Sequence, residues 1–345
     1  MKIVHTADIH LDSPLAQVKD SSLRRYELLS ALSNMSEYAN NNGVEAIIVA
    51  GDLFDDRFAS DSTIAGVADI IRRSKSAWFV LQGNHGSNEP YLKLKRLVPQ
   101  INLFGDDWSY FNLGNVTICG RELGSNDAEQ YCKLTLDTSR YNIIVLHGDV
   151  DDDSYGLIDR KALAKSNASY VALGHRHTLA QYNFGTVKAC YCGVLEPRGF
   201  DEPSNTGFVL IDTDANKISF VPQHIRRVEN VTIDVTGVES DVALNGKIID
   251  AVSGSDNRNY LNATFVGALH KGVHLSVVAN SVLDGRFFAL RIDDQTTVNY
   301  DLKAIEKEVS LRGEFVKLAN RIEDEALKQE VIKMGLQALS GEDIA

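Results

Sequence analysis

Five short apolar runs constrain the fold of this chain most, because each of them ends in polar residues that can bind a metal ion. The runs are IVHTADIH, AIIVAGDLFD, WFVLQGNH, NIIVLHGD and YVALGHRH. Short apolar runs that alternate with amphipathic segments are typical of the buried strands of an α/β protein. Side chains from distant parts of such a chain converge where the strands end. The sequence therefore predicts an α/β fold with one polar site at these strand ends.

The first half of the chain alternates strands with helices. Strands are predicted at Ile3–Thr6, Ala46–Ala50 and Trp78–Leu81, and helices at Leu23–Ala39 and Thr63–Arg73. Further along, more closely spaced strands are predicted at Val116–Cys119, Ile143–Leu146, Tyr170–Leu173, Thr186–Tyr191, Gly207–Ile211 and Ile218–Val221. This pattern predicts one large α/β domain over residues 1–226.

The pattern changes after Arg226. Strands at Asn230–Val235, Asn259–Val266 and Phe287–Ile292, with helices at Val242–Val252 and Lys271–Ala279, predict a small α/β domain over residues 227–300. Residues 301–345 are charged and helix-forming, with apolar residues at helical spacing, which predicts a helical tail. Such a tail can pack on its own domain or offer its apolar face to a partner.

The composition is that of a soluble globular protein, with 44% hydrophobic and 24% charged residues. No apolar run approaches the ~20 residues that a membrane helix needs, and the first residues lead directly into a strand, so we expect a cytoplasmic protein with no membrane attachment. The four cysteines are expected to be reduced thiols. The net charge of −12 counts against a broad basic surface for nucleic acid, unless bound cations or a partner supply positive charge.

The polar residues at the strand ends form a candidate set of metal ligands. They are Asp8, His10, Asp52, Asn84, His147, His175 and His177. Carboxylate, imidazole and amide groups together suit Mn²⁺, Fe²⁺ or Zn²⁺. Two cations about 3.5–4 Å apart can hold a phosphoryl group and activate water, and a shared carboxylate would fix their spacing. We expect Asp52 to be that carboxylate.

The order of the motifs DxH, GDxxD, GNH, a later His and GHxH resembles that of the calcineurin-like metallophosphoesterases. HTADIHLDSP, GDLFDDR and YCGVLEPRGFDE further resemble the SbcD/Mre branch of DNA-repair nucleases, including its YhaO-like bacterial members. This resemblance implies a four-layer α/β/β/α sandwich, a small α/β capping domain and a helical C-terminal tail. It also implies two divalent metal ions, with Mn²⁺ favoured, DNA as the substrate, a homodimer, and an SbcC-like coiled-coil ATPase as the partner.

The resemblance also implies a role for each motif residue. One metal would be held by Asp8, His10, Asp52 and His177, and the other by Asp52, Asn84, His147 and His175. His85 would be catalytic, contacting the phosphate and protonating the leaving oxygen. The chain departs from the family at Gly86, where members usually have an Asp that orients this histidine. A glycine at position 86 should leave metal binding intact. The step that it affects is the transfer of a proton from His85 to the leaving oxygen.

Other polar residues are open to more than one interpretation. Arg57 could reach a phosphate or be an ordinary exposed arginine, and Arg198 could contact phosphate or form a structural ion pair. His5 is expected to be a packed structural residue. Asp149 is expected to lie in a solvated loop, together with the acidic residues at 151–153.

Three functions fit these patterns. The first is a Mn²⁺-dependent DNA phosphodiesterase, acting as an exonuclease, an endonuclease or both. The second retains the metal chemistry but acts on a small phosphodiester or a cyclic nucleotide. The third is a binding or scaffolding subunit that retains metals for structure. The complete set of predicted ligands favours an enzyme, and the predicted capping domain and tail favour the first function.

Overall fold

The computed structural model describes residues 1–15, 18, 20–55, 59–84, 88–124, 127–151, 156–270, 272–300 and 302–340. The chain forms two compact units. The first contains Met1–Asn230, Ser255–Asn262 and Gly285–Arg291, and the second contains Val231–Gly254, Ala263–Asp284 and Ile292–Ala345.

Twelve strands and five helices make up the main part of the first unit in the described residues. In chain order they are β1 (Lys2–Thr6), α1 (Ser21–Asn41), β2 (Ala46–Ala50), α2 (Asp61–Arg73), β3 (Ala77–Leu81), α3 (Glu89–Leu97), β4 (Asn102–Leu103), β5 (Ser109–Leu113), β6 (Val116–Gly120), α4 (Asp127–Lys133), β7 (Tyr141–His147), α5 (Arg160–Ala164), β8 (Tyr170–Gly174), β9 (Ala180–Phe184), β10 (Val187–Tyr191), β11 (Gly207–Asp212) and β12 (Lys217–Pro222). The strands predicted from the sequence in this part of the chain are all present.

These strands form two six-stranded sheets. The first has the order β12-β11-β1-β2-β3-β4 and the second the order β5-β6-β7-β8-β10-β9. In the first sheet β1, β2, β3 and β4 run parallel, and in the second β6, β7, β8 and β10 run parallel. The register aligns the carboxyl ends of neighbouring strands, as in the pairs Ala50–Leu81 and His147–Gly174. All five polar strand ends therefore lie at the carboxyl ends of parallel strands.

The two sheets pack face to face, and helices cover their outer faces. The core between the sheets contains Ile3, Ile48, Phe79, Ile143 and Tyr170. On the outer face of the first sheet, Val4 and Val49 join a core with Leu32 of α1 and Ile64 of α2. On the outer face of the second sheet, Ile144 and Leu173 join a core with Leu163 of α5. The layers are thus α/β/β/α, which confirms the predicted sandwich.

The remaining elements follow in chain order. They are β13 (Val228–Asp234), α6 (Asp241–Ala251), β14 (Tyr260–His270), α7 (Leu275–Leu283), β15 (Ala289–Asn299), α8 (Leu302–Glu306), α9 (Leu311–Ala319) and α10 (Glu325–Ser340). The three strands form a sheet of order β13-β14-β15. Helix α7 was predicted to begin at Lys271 but begins at Leu275, because Gly272 has a φ of +102° that a right-handed helix cannot contain. Residue Lys271 itself lies outside the described residues.

The helices after residue 301 have a small apolar core of their own. It contains Ile305, Val316, Ala319, Ile332 and Leu336. The helical character predicted for residues 301–345 is present from Leu302 to Ser340. No helix within the described residues is both long and apolar enough to cross a membrane.

Candidate metal centre

The loops after β1 and β2 turn sharply where the predicted ligands lie. Asp8, His10 and Asp52 have φ values of 53°, 47° and 52°, in the left-handed region that residues other than Gly rarely occupy. Backbone hydrogen bonds hold these turns, from Asp8 N–H to Gly51 O (3.1 Å) and from His10 N–H to Asp52 O (2.9 Å). Left-handed backbone at several neighbouring residues is typical of functional sites, where the surrounding structure enforces it.

The predicted ligands converge in two overlapping groups. Ligand atoms of Asp8, His10 and His177 lie within 4.8 Å of one another, and so do ligand atoms of Asp8, Asp52 and His147. One oxygen of Asp52, Oδ2, lies 3.7 Å from His10 Nε2 and 3.2 Å from His147 Nε2. The two groups therefore share Asp8, and Asp52 of the second group lies beside His10 of the first. The side chains of Asp8 and Asp52 are both almost completely buried.

The remaining two predicted ligands adjoin the second group. Asn84 Oδ1 lies 2.6 Å from His147 Nε2. The backbone N–H of His175 lies 3.1 and 3.0 Å from the two carboxylate oxygens of Asp8, and its ring packs edge-to-face on that of His147 at 5.5 Å between centroids. All seven predicted ligands thus lie in one place. His85 and Gly86 lie outside the described residues, as does Arg57.

Two glycines leave the space that the His147 ring occupies. A Cβ on Gly51 would lie 2.1 Å from His147 Nδ1, and one on Gly174 would lie 1.9 Å from Ala50 O. Because both glycines lack a Cβ, the ring can approach the β2 backbone, where its Nδ1 lies 2.9 Å from Ala50 O. Since a carbonyl can only accept, Nδ1 carries the proton and Nε2 is left to face Asp52 and Asn84.

His177 is oriented by a carboxylate on the segment after β10. Its Nδ1 lies 3.2 Å from Glu202 Oε1, and Arg198 donates twice to the same oxygen, at 2.6 and 3.0 Å. Arg198 Nη2 also lies 3.2 Å from His177 Nδ1. Arg198 thus forms an ion pair with Glu202, while its contact with a phosphate stays a prediction. Glu202 fixes the ring so that Nε2 is the nitrogen left for a ligand role.

The buried carboxylates and imidazoles at this centre shift one another's pKa values. Burial raises the pKa of Asp8 to about 6, although His147 and His177 act in the opposite direction. Burial acts to lower the pKa of His147, but its hydrogen bond to Asp52 and the charges of Asp52 and Asp8 outweigh it and raise the pKa to about 9. Buried carboxylates and imidazoles without thiolates are a donor set that fits divalent cations, whose charge would balance the acids.

The sequence matches a known family over the part that carries this centre. The model of the calcineurin-like phosphoesterases matches residues 1–179, which include all seven predicted ligands. This chain belongs to the calcineurin-like phosphoesterases.

Three curated relatives of this phosphoesterase are similar at modest identity. An uncharacterised metallophosphoesterase, YhaO of Bacillus subtilis, is 25% identical over 284 residues, which cover 73% of this chain and 68% of YhaO. The DNA double-strand break repair protein Mre11 of Haloferax volcanii is 26% identical over 251 residues, covering 69% of this chain and 56% of that protein. The SbcD component of the nuclease SbcCD of Staphylococcus epidermidis is 22% identical over 280 residues, covering 68% of this chain and 73% of that protein.

The phosphoesterase centre also depends on residues that the sequence did not single out. Glu122 follows β6, and its carboxylate accepts from the backbone N–H groups of Gln82 (2.6 Å) and Gly83 (3.2 Å), which precede Asn84. Burial raises its pKa to about 7, although these two hydrogen bonds act to lower it. No local sequence pattern marks Glu122 or Glu202, because each acts on a loop far away in the chain.

The prediction that Asp149 lies in a solvated loop is wrong. Its side chain is only 11% exposed and accepts two hydrogen bonds from Arg176, at 2.8 and 2.6 Å. The acidic run at 151–153 suggested solvation, but the arginine pairs with this carboxylate and removes it from water. Asp151 is exposed, and residues 152 and 153 lie outside the described residues.

Proposed function

We propose that this phosphoesterase is a metal-dependent DNA nuclease that hydrolyses phosphodiester bonds as the nuclease subunit of an SbcCD-like complex. The convergence of the seven predicted ligands in one place, four of them buried, is the observation that carries the proposal. The names of the Mre11 and SbcCD relatives support DNA as the substrate.

The proposed ligand sets are those that the family resemblance implies. One cation would be held by Asp8, His10, Asp52 and His177, and the other by Asp52, Asn84, His147 and His175. The position of Asp52 Oδ2 between a histidine of each set supports its role as the shared ligand. The oxygen and nitrogen donors fit Mn²⁺, Fe²⁺ or Zn²⁺ alike, and of these we propose Mn²⁺.

When bound, the two cations would supply Lewis acidity, which neutralises phosphodiester charge and activates water. The protein's own groups would hold this arrangement fixed. The contact of His147 Nδ1 with Ala50 O and that of His177 Nδ1 with Glu202 set the direction of both rings. His85 would donate a proton to the leaving oxygen, and Gly86 places no carboxylate beside it in sequence.

Cleavage assays with Mn²⁺ test the proposal on single-stranded DNA, double-stranded DNA and a small chromogenic phosphodiester. We expect the protein to cut DNA, Asp52→Ala to abolish cutting, and His85→Ala to lower kcat by about 10²–10⁴-fold, which is the usual contribution of proton transfer. Asp69→Ala is the control, because Asp69 is an exposed aspartate of α2 that pairs only with nearby Arg72 in the described contacts.

Two outcomes would overturn the nuclease proposal in different ways. Cleavage of the small ester alone would indicate a phosphodiesterase for small or cyclic nucleotides. Bound metal with no turnover of any substrate would indicate a scaffolding subunit. Loss of DNA cutting in Asp69→Ala as well would show that the Asp52→Ala result reports general damage to the fold.

We further propose a cytoplasmic homodimer with an SbcC-like coiled-coil ATPase that docks on residues 301–345. Exposed apolar side chains on this tail support docking, and they include Leu311, Leu318, Leu327 and Met334. The ATPase would also supply positive charge for DNA binding to a chain of net charge −12. We expect a coiled-coil ATPase to co-purify with the full chain and not with a chain that ends before residue 301; retention by the shortened chain would contradict docking on the tail.

A further inference from the structure

One arginine joins the loop that carries His175 and His177 to the loop that directly follows His147 at the end of β7, here called the His147 loop. Arg176 lies between His175 and His177 on the loop after β8. Its Nε donates to Asp149 Oδ2 (2.8 Å) and its Nη2 to Asp149 Oδ1 (2.6 Å). Asp149 lies two residues after His147, on the loop after β7. A two-bond ion pair therefore connects the His147 loop to the loop of the other two histidines.

The remaining contacts of Arg176 hold its guanidinium in place. Its Nη1 donates to the hydroxyl of Tyr182 (2.7 Å), and its Nη2 also donates to Asp151 (2.9 Å). The ring of Tyr191 lies 5.3 Å from the guanidinium carbon, and its hydroxyl donates to Gly148 O (2.8 Å). These groups take four of the five N–H donors of Arg176, so the guanidinium is held mainly by the protein.

The ion pair acts beyond the end of the β ladder. Strands β7 and β8 pair in register up to His147 and Gly174, and one further backbone hydrogen bond joins Gly148 N–H to Gly174 O (3.3 Å). Past this point, the pair of Arg176 with Asp149 is the next connection between the loops in the described contacts. The strands, including His147 at the end of β7, are already aligned without it, so its effect falls on the loop that carries His175 and His177 and on the loop that follows His147.

We propose that Arg176 is a positioning residue that, through Asp149, fixes the His147 loop relative to His175 and His177 so that the metals meet a preformed ligand set. This inference rests on the proposed metal site and deepens it. The planar guanidinium matches both oxygens of a carboxylate, which fixes orientation as well as distance. A lysine would contact only one oxygen and leave the loops free to rotate. Side chains that orient metal ligands in this way typically change metal affinity about 10–100-fold when they are replaced.

Calorimetric titration with Mn²⁺ of the full chain tests this inference without DNA. We expect Arg176→Ala and Asp149→Asn each to weaken Mn²⁺ binding about 10–100-fold, and Arg176→Lys to restore only part of the loss. The double variant should have the same Mn²⁺ affinity as whichever single variant binds Mn²⁺ less tightly, because both substitutions break the same ion pair. Circular dichroism at the titration temperature checks that each variant remains folded.

Arg160→Ala is the matched control. Arg160 pairs with Asp151, donates to Val150 O (2.8 Å) and lies over the same Tyr182 ring. It therefore holds the loop after β7 to α5, but in the described contacts it reaches no residue of the loop that carries His175 and His177. Its replacement should leave Mn²⁺ affinity unchanged. Unchanged affinity in Arg176→Ala, an equal loss in Arg160→Ala, or additive losses in the double variant would overturn the inference.

Metal affinity separates this inference from the nuclease proposal. If the unsubstituted protein binds Mn²⁺ but cuts no DNA, the nuclease proposal fails while the titrations still decide the role of Arg176. If it binds no Mn²⁺, the metal site and the positioning role are both overturned.

Discussion

His5 illustrates at the scale of one residue how burial controls charge. It lies on β1 with its side chain fully buried, and its Nδ1 is 2.9 Å from the hydroxyl of Tyr170. Burial lowers its pKa to about 3, although a backbone contact with Leu173 acts to raise it. Burial also raises the pKa of its partner Tyr170, so that hydroxyl stays neutral in acid. As expected from the sequence, His5 is a packed structural residue.

This pKa shift predicts a pH dependence of stability. Between the ordinary pKa of 6.5 and the folded pKa of about 3, the unfolded chain binds a proton at His5 that the folded chain does not, so stability falls as pH falls. Relative to His5→Asn, we expect the free energy of unfolding to drop by about 1.4 kcal/mol per pH unit between about pH 6 and about pH 4. Urea unfolding of both proteins in chelator measures this difference. If the free energies of unfolding of the two proteins changed by the same amount with pH, this prediction would be contradicted.

At the same scale, the sequence predicted the ligands better than the residues that orient them. Asp8, Asp52 and His147 follow apolar runs, and this local pattern places them at strand ends whatever the details of packing. Glu122 acts on a turn about forty residues earlier in the chain, and the pairing of Arg176 with Asp149 depends on two adjacent strands. Such contacts arise only when strands pair, so no local periodicity predicts them.

Among the elements, helix α1 is fixed to the first unit by a buried network of charges. Arg24, which is fully buried, donates to Glu27 (3.0 Å), to Glu196 (2.8 Å) and to the carbonyl of Pro197. Arg226 donates to Glu27 from the segment after β12, at 2.7 and 2.5 Å. The network connects α1 to the segments after β10 and β12. Removal of one member would leave a buried charge without its partner.

Replacement of Arg24 by Met should therefore destabilise the protein by about 3–5 kcal/mol, because Glu196 would keep its charge in an apolar environment. Arg25→Met is the matched control, since Arg25 is the next residue of α1 and is exposed. Arg25→Met should change the free energy of unfolding by no more than about 0.5 kcal/mol, as is usual for surface substitutions. Urea unfolding measures both, and equal effects of the two substitutions would contradict a special role for the buried network.

The sequence predicted the elements well where periodicity alone determines them. Strands such as Ala46–Ala50 have the same bounds in prediction and structure, because a fully apolar run between turn residues has few alternatives. The assignment of Ser255–Asn262 and Gly285–Arg291 to the first unit could not be predicted. It depends on packing between segments far apart in the chain, such as that of Tyr260 against Phe200 at 5.5 Å.

For the whole molecule, the two-sheet sandwich explains how an acidic chain can form a site for phosphoesters. The five strand ends come from both sheets, and the closest approaches join them, as between Asp52 of the first sheet and His147 of the second. A net charge of −12 would repel DNA unless cations occupy this centre or a partner holds the nucleic acid. The central claim is therefore that two divalent cations bind where the sheets meet and share Asp52.

The number of Mn²⁺ ions bound per chain tests this claim most directly. Equilibrium dialysis followed by metal analysis should find two ions in the unsubstituted protein. Asp52→Ala should lose at least one of them while circular dichroism shows that the fold is retained, because the shared ligand serves both sites. One ion or none in the unsubstituted protein, or two ions retained in Asp52→Ala, would contradict the account.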